Sequence, residues 1–189
     1  MRSQLAFYGA YHSDLKNILV HMVFVPVIEW ASFGLAMIGS KSVSFLQKPL
    51  FTVLGHTFVS DFAFLYSVVT GAFYLRLDPI AGLLRAAWLT GSYLSVKNVV
   101  DTQGPEVWKM LLALKIAGWV FQIGAHQIWE GRAPALLDNL VQALVLAPFF
   151  VLYEVLFFFG YRPQLRKEVG ERVHKLRQDF FKGQEKRRV

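Results

Sequence analysis

The chain has 189 residues, of which 54% are hydrophobic and only 17% charged, with 17 Phe, no Cys and a formal net charge of +7. A soluble domain carries about 25% charged residues, so this composition, with a mean hydropathy of +0.39, points to a polytopic membrane protein rather than a soluble globule. The missing cysteines exclude disulfides, iron–sulfur clusters and thiolate-ligated haem, and the basic excess is not a nucleic-acid footprint, because ten of the twenty Lys and Arg lie from Arg162 onward with no base-stacking platform beside them.

The N-terminal stretch MRSQLAFYGAYHSDLKN lacks a compact apolar core ending in a small-residue cleavage site. The first apolar run is therefore read as a retained helix. It covers residues 17–38, opens after the capping candidates Ser13 and Asp14, and contains Pro26, which is expected to kink it. A second run covers 50–75, between Pro49 and the Arg76–Asp78 stretch. A third, over 80–96, is short and contains Arg85; a fourth, over 107–129, follows Pro105 and Glu106. The fifth covers 135–159 and is interrupted by Pro148, which leaves open whether it crosses fully or turns back.

About 20 apolar residues cross a bilayer as a helix. The expected fold is thus all-α: a membrane helix bundle of four to five hydrophobic segments, the last broken at a proline, over residues 1–161. A basic tail, 162–189, follows. Its apolar positions Leu165, Val169, Val173, Leu176 and Phe180 recur every three or four residues, the pattern of an amphipathic helix lying on a membrane. Its positive charge places it on the cytoplasmic side.

Topology then gathers distant polar residues. If the first four segments each cross once, the start of the first and the end of the fourth share a membrane face. His12, Asn17 and His21 lie at that start. Gln122, His126 and Glu130 lie at that end, at steps of four that put them on one helical face. A Gly131–Arg132–Ala133–Pro134 break follows, and then Asp138 and Asn139 open the fifth segment. His12 and His21 are nine residues apart, which on one straight helix would place them on opposite faces, so His12 is expected to precede the helix and fold over its end. Three imidazoles and a carboxylate form a sulfur-free N/O set suited to a non-haem metal ion with open positions. The competing structural reading has His126 bonded to a carbonyl and Glu130 paired with Arg132. Polar groups in a membrane are costly and usually face the bundle interior for a reason. His56, near Ser60 and Asp61, is a further candidate ligand, though a hydrogen-bonded interior histidine explains it as well. There is no Gly-rich phosphate loop, no G-x-S-x-G elbow and no His-Glu-x-x-His.

Two blocks, RSQLAFYGAYHSDLKNILVHMVFVPVI and GWVFQIGAHQIWEGRAPALLDNLVQALVLAPFFVLYEVLF, resemble the endoplasmic-reticulum 2-hydroxy-fatty-acid dioxygenases. The resemblance spans about residues 2–28 and 118–160 and rests on two long ordered patterns, Tyr-His…Asn-x-x-x-His…Val-Pro and Gly-x-His-x-x-x-Glu-x-Arg-x-Pro-Ala-Leu. One departure is Ser13, where some members carry a second histidine. The resemblance implies an Fe(II)-dependent, O2-using enzyme of the endoplasmic-reticulum membrane. It would shorten a 2-hydroxy long-chain fatty acid by one carbon in fatty acid α-oxidation, within phytosphingosine breakdown. It implies His12, His21 and His126 as iron ligands, Glu130 as a fourth ligand or a group orienting a histidine, and Arg132 as a partner for the substrate carboxylate. Asn17, Gln122, Asp138, Asn139 and His56 are further or supporting candidates. Two other classes fit the residues: a b-type haem protein with His21 and His126 as axial ligands, and a non-enzymatic scaffold or carrier in which the polar cluster holds helices together.

Overall fold

The computed structural model describes residues 1–43, 45–53, 55–134 and 145–188, the last five as backbone only. Its elements are α1 (Arg2–Tyr11), α2 (Leu15–Ser40), a hairpin of β1 (Pro49–Val53) and β2 (His56–Val59), α3 (Phe62–Leu77), α4 (Pro79–Gln103), α5 (Trp108–Ala125), α6 (Ala147–Phe158) and α7 (Pro163–Arg188). A 3-10 turn, Pro105–Val107, leads into α5, and a π turn, His126–Glu130, continues from it. They form two compact units, residues 1–22 with 121–189, and residues 23–120.

Among the described residues, two helical stretches, rather than the four to five expected, are long and apolar enough to cross a membrane: Leu15–Ser40 and Pro105–Glu130. Only 33% and 22% of their most apolar windows are buried. Leu19 and Val23 on the first stretch, and Ile116, Val120, Phe121 and Ile123 on the second, are exposed; apolar rows of this kind mark an interaction surface and suit lipid. Pro26 lies inside α2, which continues through it.

Residues 50–75 do not form the single span expected of them. The first part is an antiparallel hairpin with Phe51 opposite Phe58 and Val53 opposite His56. β-branched and aromatic side chains on both arms favour pleated pairing over a helix, and Gly55, at φ 80°, supplies the left-handed backbone of the turn. α3 starts only at Phe62, where the Asp61 carboxylate accepts the Phe64 N–H at 2.8 Å, and has 16 residues. The otherwise helical fold therefore includes a two-stranded element.

The unit of residues 23–120 is held by polar anchors as well as apolar packing. Tyr93 donates its hydroxyl to Asp61 at 3.0 Å, accepts the Val59 N–H at 3.3 Å, and lies parallel to Phe58 with ring centroids 5.4 Å apart. Asp78 ends α3 and caps α4, accepting from Ile80 and Ala81, with Pro79 in the first turn. That tight reversal brings Gly82 against the backbone of Leu75, where an added Cβ would stand 2.5 Å from its Cα. Arg85, which made the third segment look weak as a span, is buried on α4 and paired with Glu29 of α2.

In the other unit α1 packs against α6 and α7. The approach to α7 is close: a Cβ on Gly9 would lie 2.8 Å from Val173 Cγ2. Val169 is buried, and Arg2 pairs with Glu168 at 2.9 Å. Two apolar positions expected to face a membrane, Val169 and Val173, thus have protein partners. Pro148 stands in the first turn of α6, where its fixed φ suits the helix; residues 135–144 of the fifth segment lie outside the described residues.

Candidate metal centre

His12 is the C-cap of α1, with φ −130° and ψ 77°, so it lies outside α2 and before its first turn. His21 lies in the second turn of α2, and His126 begins the π turn that follows α5. The three rings meet edge to face, with centroid separations of 4.4 Å (His12–His21), 4.7 Å (His12–His126) and 4.9 Å (His21–His126). All three are buried, and one ring nitrogen from each lies within 4.8 Å of the others. That spacing allows one ion to be shared.

Two rings are oriented by the same local device. His12 Nδ1 lies 2.9 Å from the Tyr8 carbonyl, and His21 Nδ1 lies 3.0 Å from the Asn17 carbonyl, each four residues back. A carbonyl only accepts, so each Nδ1 carries the proton and each neutral ring keeps its lone pair on Nε2. This is the arrangement of a metal-binding imidazole whose second nitrogen is held by the protein. His12 also stacks on Tyr8, centroids 3.9 Å apart at 15°. Burial, and then the neighbouring His21 and His126, push His12 well below the usual histidine range, so it is neutral near pH 7 and its lone pair is available.

Buried polar atoms rarely lack partners, yet His12 Nε2 and His126 Nδ1 are both buried without one. A shared cation would satisfy both. Three neutral imidazoles with no sulfur suit iron, zinc, copper or nickel, and leave coordination positions open.

Glu130 closes the π turn, and Gly131 follows in the left-handed conformation at φ 62°. Its side chain is fully buried. Oε1 accepts from the Ser13 N–H (2.6 Å), the Asp14 N–H (2.9 Å) and Asn17 Nδ2 (3.1 Å). Oε2 accepts from Ser13 Oγ (2.9 Å) and Arg177 Nη1 (2.7 Å). A carboxylate offers about four lone-pair sites, so these donors saturate it. The geometry makes Glu130 a brace between the π turn and the turn at Ser13–Asn17, where it also meets the positive end of α2. It is not paired with Arg132, as the structural reading of the sequence had it; its cation is Arg177. The left-handed Gly131 sends Arg132 elsewhere: its guanidinium lies 3.3 Å from the Tyr11 ring centroid and 4.1 Å from that of Phe180, and donates to the Ala10 carbonyl at 3.3 Å.

Asn17 is fully buried, donating to the Tyr11 carbonyl and to Glu130 while its own carbonyl orients His21. Gln122 is buried with Nε2 unpartnered. His56 is exposed on the hairpin and does not join the three-imidazole cluster. Asp138 and Asn139 lie outside the described residues. Reading the sequence missed Tyr8, Ser13 and Arg177 as parts of this centre. Tyr8 could have been found, being four residues before His12 on a helix; Ser13 was noticed only as a cap and as a departure from the family pattern. Arg177 carries no local signal.

The sequence profile of a family described as 2-hydroxy-palmitic acid dioxygenase Mpo1-like matches residues 1–159. Among curated proteins, the 2-hydroxy-palmitic acid dioxygenase MPO1 of Saccharomyces cerevisiae is 37% identical over 166 residues, which cover 88% of this chain and 85% of the yeast protein. No solved structure matches the chain.

Proposed function

The chain belongs to the 2-hydroxy-palmitic acid dioxygenase Mpo1-like family, and from that membership and the imidazole cluster we propose that it is an Fe(II)-dependent dioxygenase of 2-hydroxy long-chain fatty acids. It cleaves the C1–C2 bond with O2 and releases an acid one carbon shorter, the α-oxidation step of phytosphingosine breakdown. The observation that carries this reading is the buried convergence of His12, His21 and His126, with unpartnered ring nitrogens on His12 and His126.

Fe(II) held by these three histidines supplies the O2 chemistry. The protein's own part is positional. The Tyr8 and Asn17 carbonyls fix two ring tautomers, and Glu130 holds the His126 turn against the turn between His12 and His21. Stacking engages the faces of the Arg132 guanidinium and leaves N–H edge for a substrate carboxylate, a charge-assisted contact. A fatty acid is delivered from a bilayer, which fits the two apolar helical stretches; the enzyme resides in the endoplasmic-reticulum membrane with its basic C-terminus in the cytoplasm. The ring separations of 4.4–4.9 Å support a single ion rather than a haem, since two axial imidazoles must stand apart on opposite sides of a macrocycle.

The test is metal analysis of purified protein with anaerobic Fe(II) titration, followed by turnover of 2-hydroxypalmitic acid under O2. About one iron per chain and a fifteen-carbon product are expected. Unchanged turnover in protein stripped of metal would sink the reading.

A further inference from the structure

The fifth donor on Glu130 comes from the far end of the chain. Arg177 lies on α7, a helix that starts at Pro163, beyond the residues matched by the family profile. Its side chain is 28% exposed, whereas the carboxylate it grips is fully buried. One turn further on, Phe180 stacks on the Arg132 guanidinium, which also lies on the Tyr11 ring beside His12 and donates to the Ala10 carbonyl. The base of α7 is fastened by separate contacts: Arg2 with Glu168, Arg166 with the Phe157 carbonyl at 3.0 Å, and Val173 against Gly9. α7 thus reaches the centre at two points, each through a side chain that also touches the turns bearing the imidazoles.

Glu130 is where this matters. Four of its five hydrogen bonds come from Ser13, Asp14 and Asn17, the turn that joins His12 to His21, and the residue itself ends the π turn begun by His126. A shift of this carboxylate moves both halves of the ligand set. The four bonds are from neutral donors; Arg177 is the ion-pair partner, and removing it leaves a buried anion without its countercharge.

We propose that α7 is a clasp on the metal centre, with Arg177 a positioning residue acting through Glu130 and Phe180 a positioning residue acting through Arg132. The inference rests on the reading of the three imidazoles as a metal site. Because Arg177 is reached from the surface and Glu130 is not, whatever loosens α7 weakens metal binding without touching a ligand.

The experiment uses the full-length protein in detergent micelles, titrated without oxygen with Co(II) alone, reading the dissociation constant and the visible absorption of the bound ion. Supporting groups behind metal ligands are worth about 10–100-fold in affinity. Arg177→Gln is expected to weaken Co(II) binding about tenfold and to alter the visible band, and Arg177→Lys to recover binding to within about threefold of the parent. Parent-like affinity and spectrum in Arg177→Gln, at unchanged helix content, would overturn the clasp while leaving the metal site standing. If that variant does not fold, Phe180→Leu decides: it keeps the ion pair and trims the stacking on Arg132. Weakening of about tenfold supports the clasp, and binding within about threefold of the parent overturns it. Absence of Co(II) binding by the parent protein overturns the metal reading, and the clasp with it.

Discussion

Glu130 and Glu29 are both buried carboxylates in an apolar chain, one in each compact unit, and they are satisfied in opposite ways. Glu130 gathers five donors from two separate stretches of sequence, Ser13–Asn17 and Arg177. Glu29 is paired with Arg85 across α2 and α4, while Glu29 Oε2 and Arg85 Nε stay buried and without partners. Saturated networks fix geometry; the Glu29–Arg85 pair ties α2 to α4 beside the Tyr74 ring, whose centroid lies 5.9 Å from the guanidinium. In the unit of residues 1–22 and 121–189 the buried carboxylate links the turns that carry the imidazoles, and in the unit of 23–120 it links two helices.

The sharpest way to break this contrast is at the imidazoles. His126→Ala is expected to reduce iron retention and turnover by more than about a hundredfold, beyond the range for groups behind the ligands, with helix content retained. Metal content and product formation on one preparation check this; full turnover without His126 would end the distinction between the units. Glu29→Ala should do the reverse. It strands Arg85 and should lower stability by about 3–5 kcal/mol, with metal affinity retained in the folded fraction. Replacing the pair together, Glu29→Leu with Arg85→Met, should recover most of that loss in a detergent unfolding titration.

Smaller effects refine the picture. Gly82→Ala forces a Cβ onto the Leu75 backbone at the α3–α4 reversal and should cost about 1–3 kcal/mol by overpacking, read as a lower unfolding midpoint. Ser13→Ala removes one hydroxyl bond from Glu130 but leaves the backbone N–H in place. It should cost about 1 kcal/mol and weaken metal binding only slightly; a drop as large as that of His126→Ala would mean that Ser13 itself takes part in the chemistry.

Much of the candidate centre could be read from the chain alone. The expectation that the first and fourth runs meet rested on four successive crossings, and of those four runs only the first and fourth are, among the described residues, long and apolar enough to span. The grouping of the histidines stands on their geometry, while the nine-residue spacing already puts His12 outside the helix of His21. His56 was harder, because a histidine inside an apolar run looks the same whether the run is a span or a hairpin. The 50–75 run was misread for a related reason. Average apolarity was high across it, while the local signals, β-branched pairs flanking Gly55 and the Asp61 cap, each covered only a few residues. The notable absence from the sequence reading is Arg177, one of many basic residues in a tail whose periodicity pointed to a membrane surface.

By itself the sequence determined the first and fourth apolar stretches and the place of His12 ahead of the His21 helix, since these follow from local composition and spacing; it did not determine the hairpin in the second run. Tertiary structure decided which cation meets which carboxylate: Arg177 rather than Arg132 for Glu130, and Arg85 for Glu29. Such pairings depend on the rotation and depth of packed helices and on backbone reversals such as Gly131. Those are set by contacts between residues 47 and 56 positions apart, which no local pattern encodes.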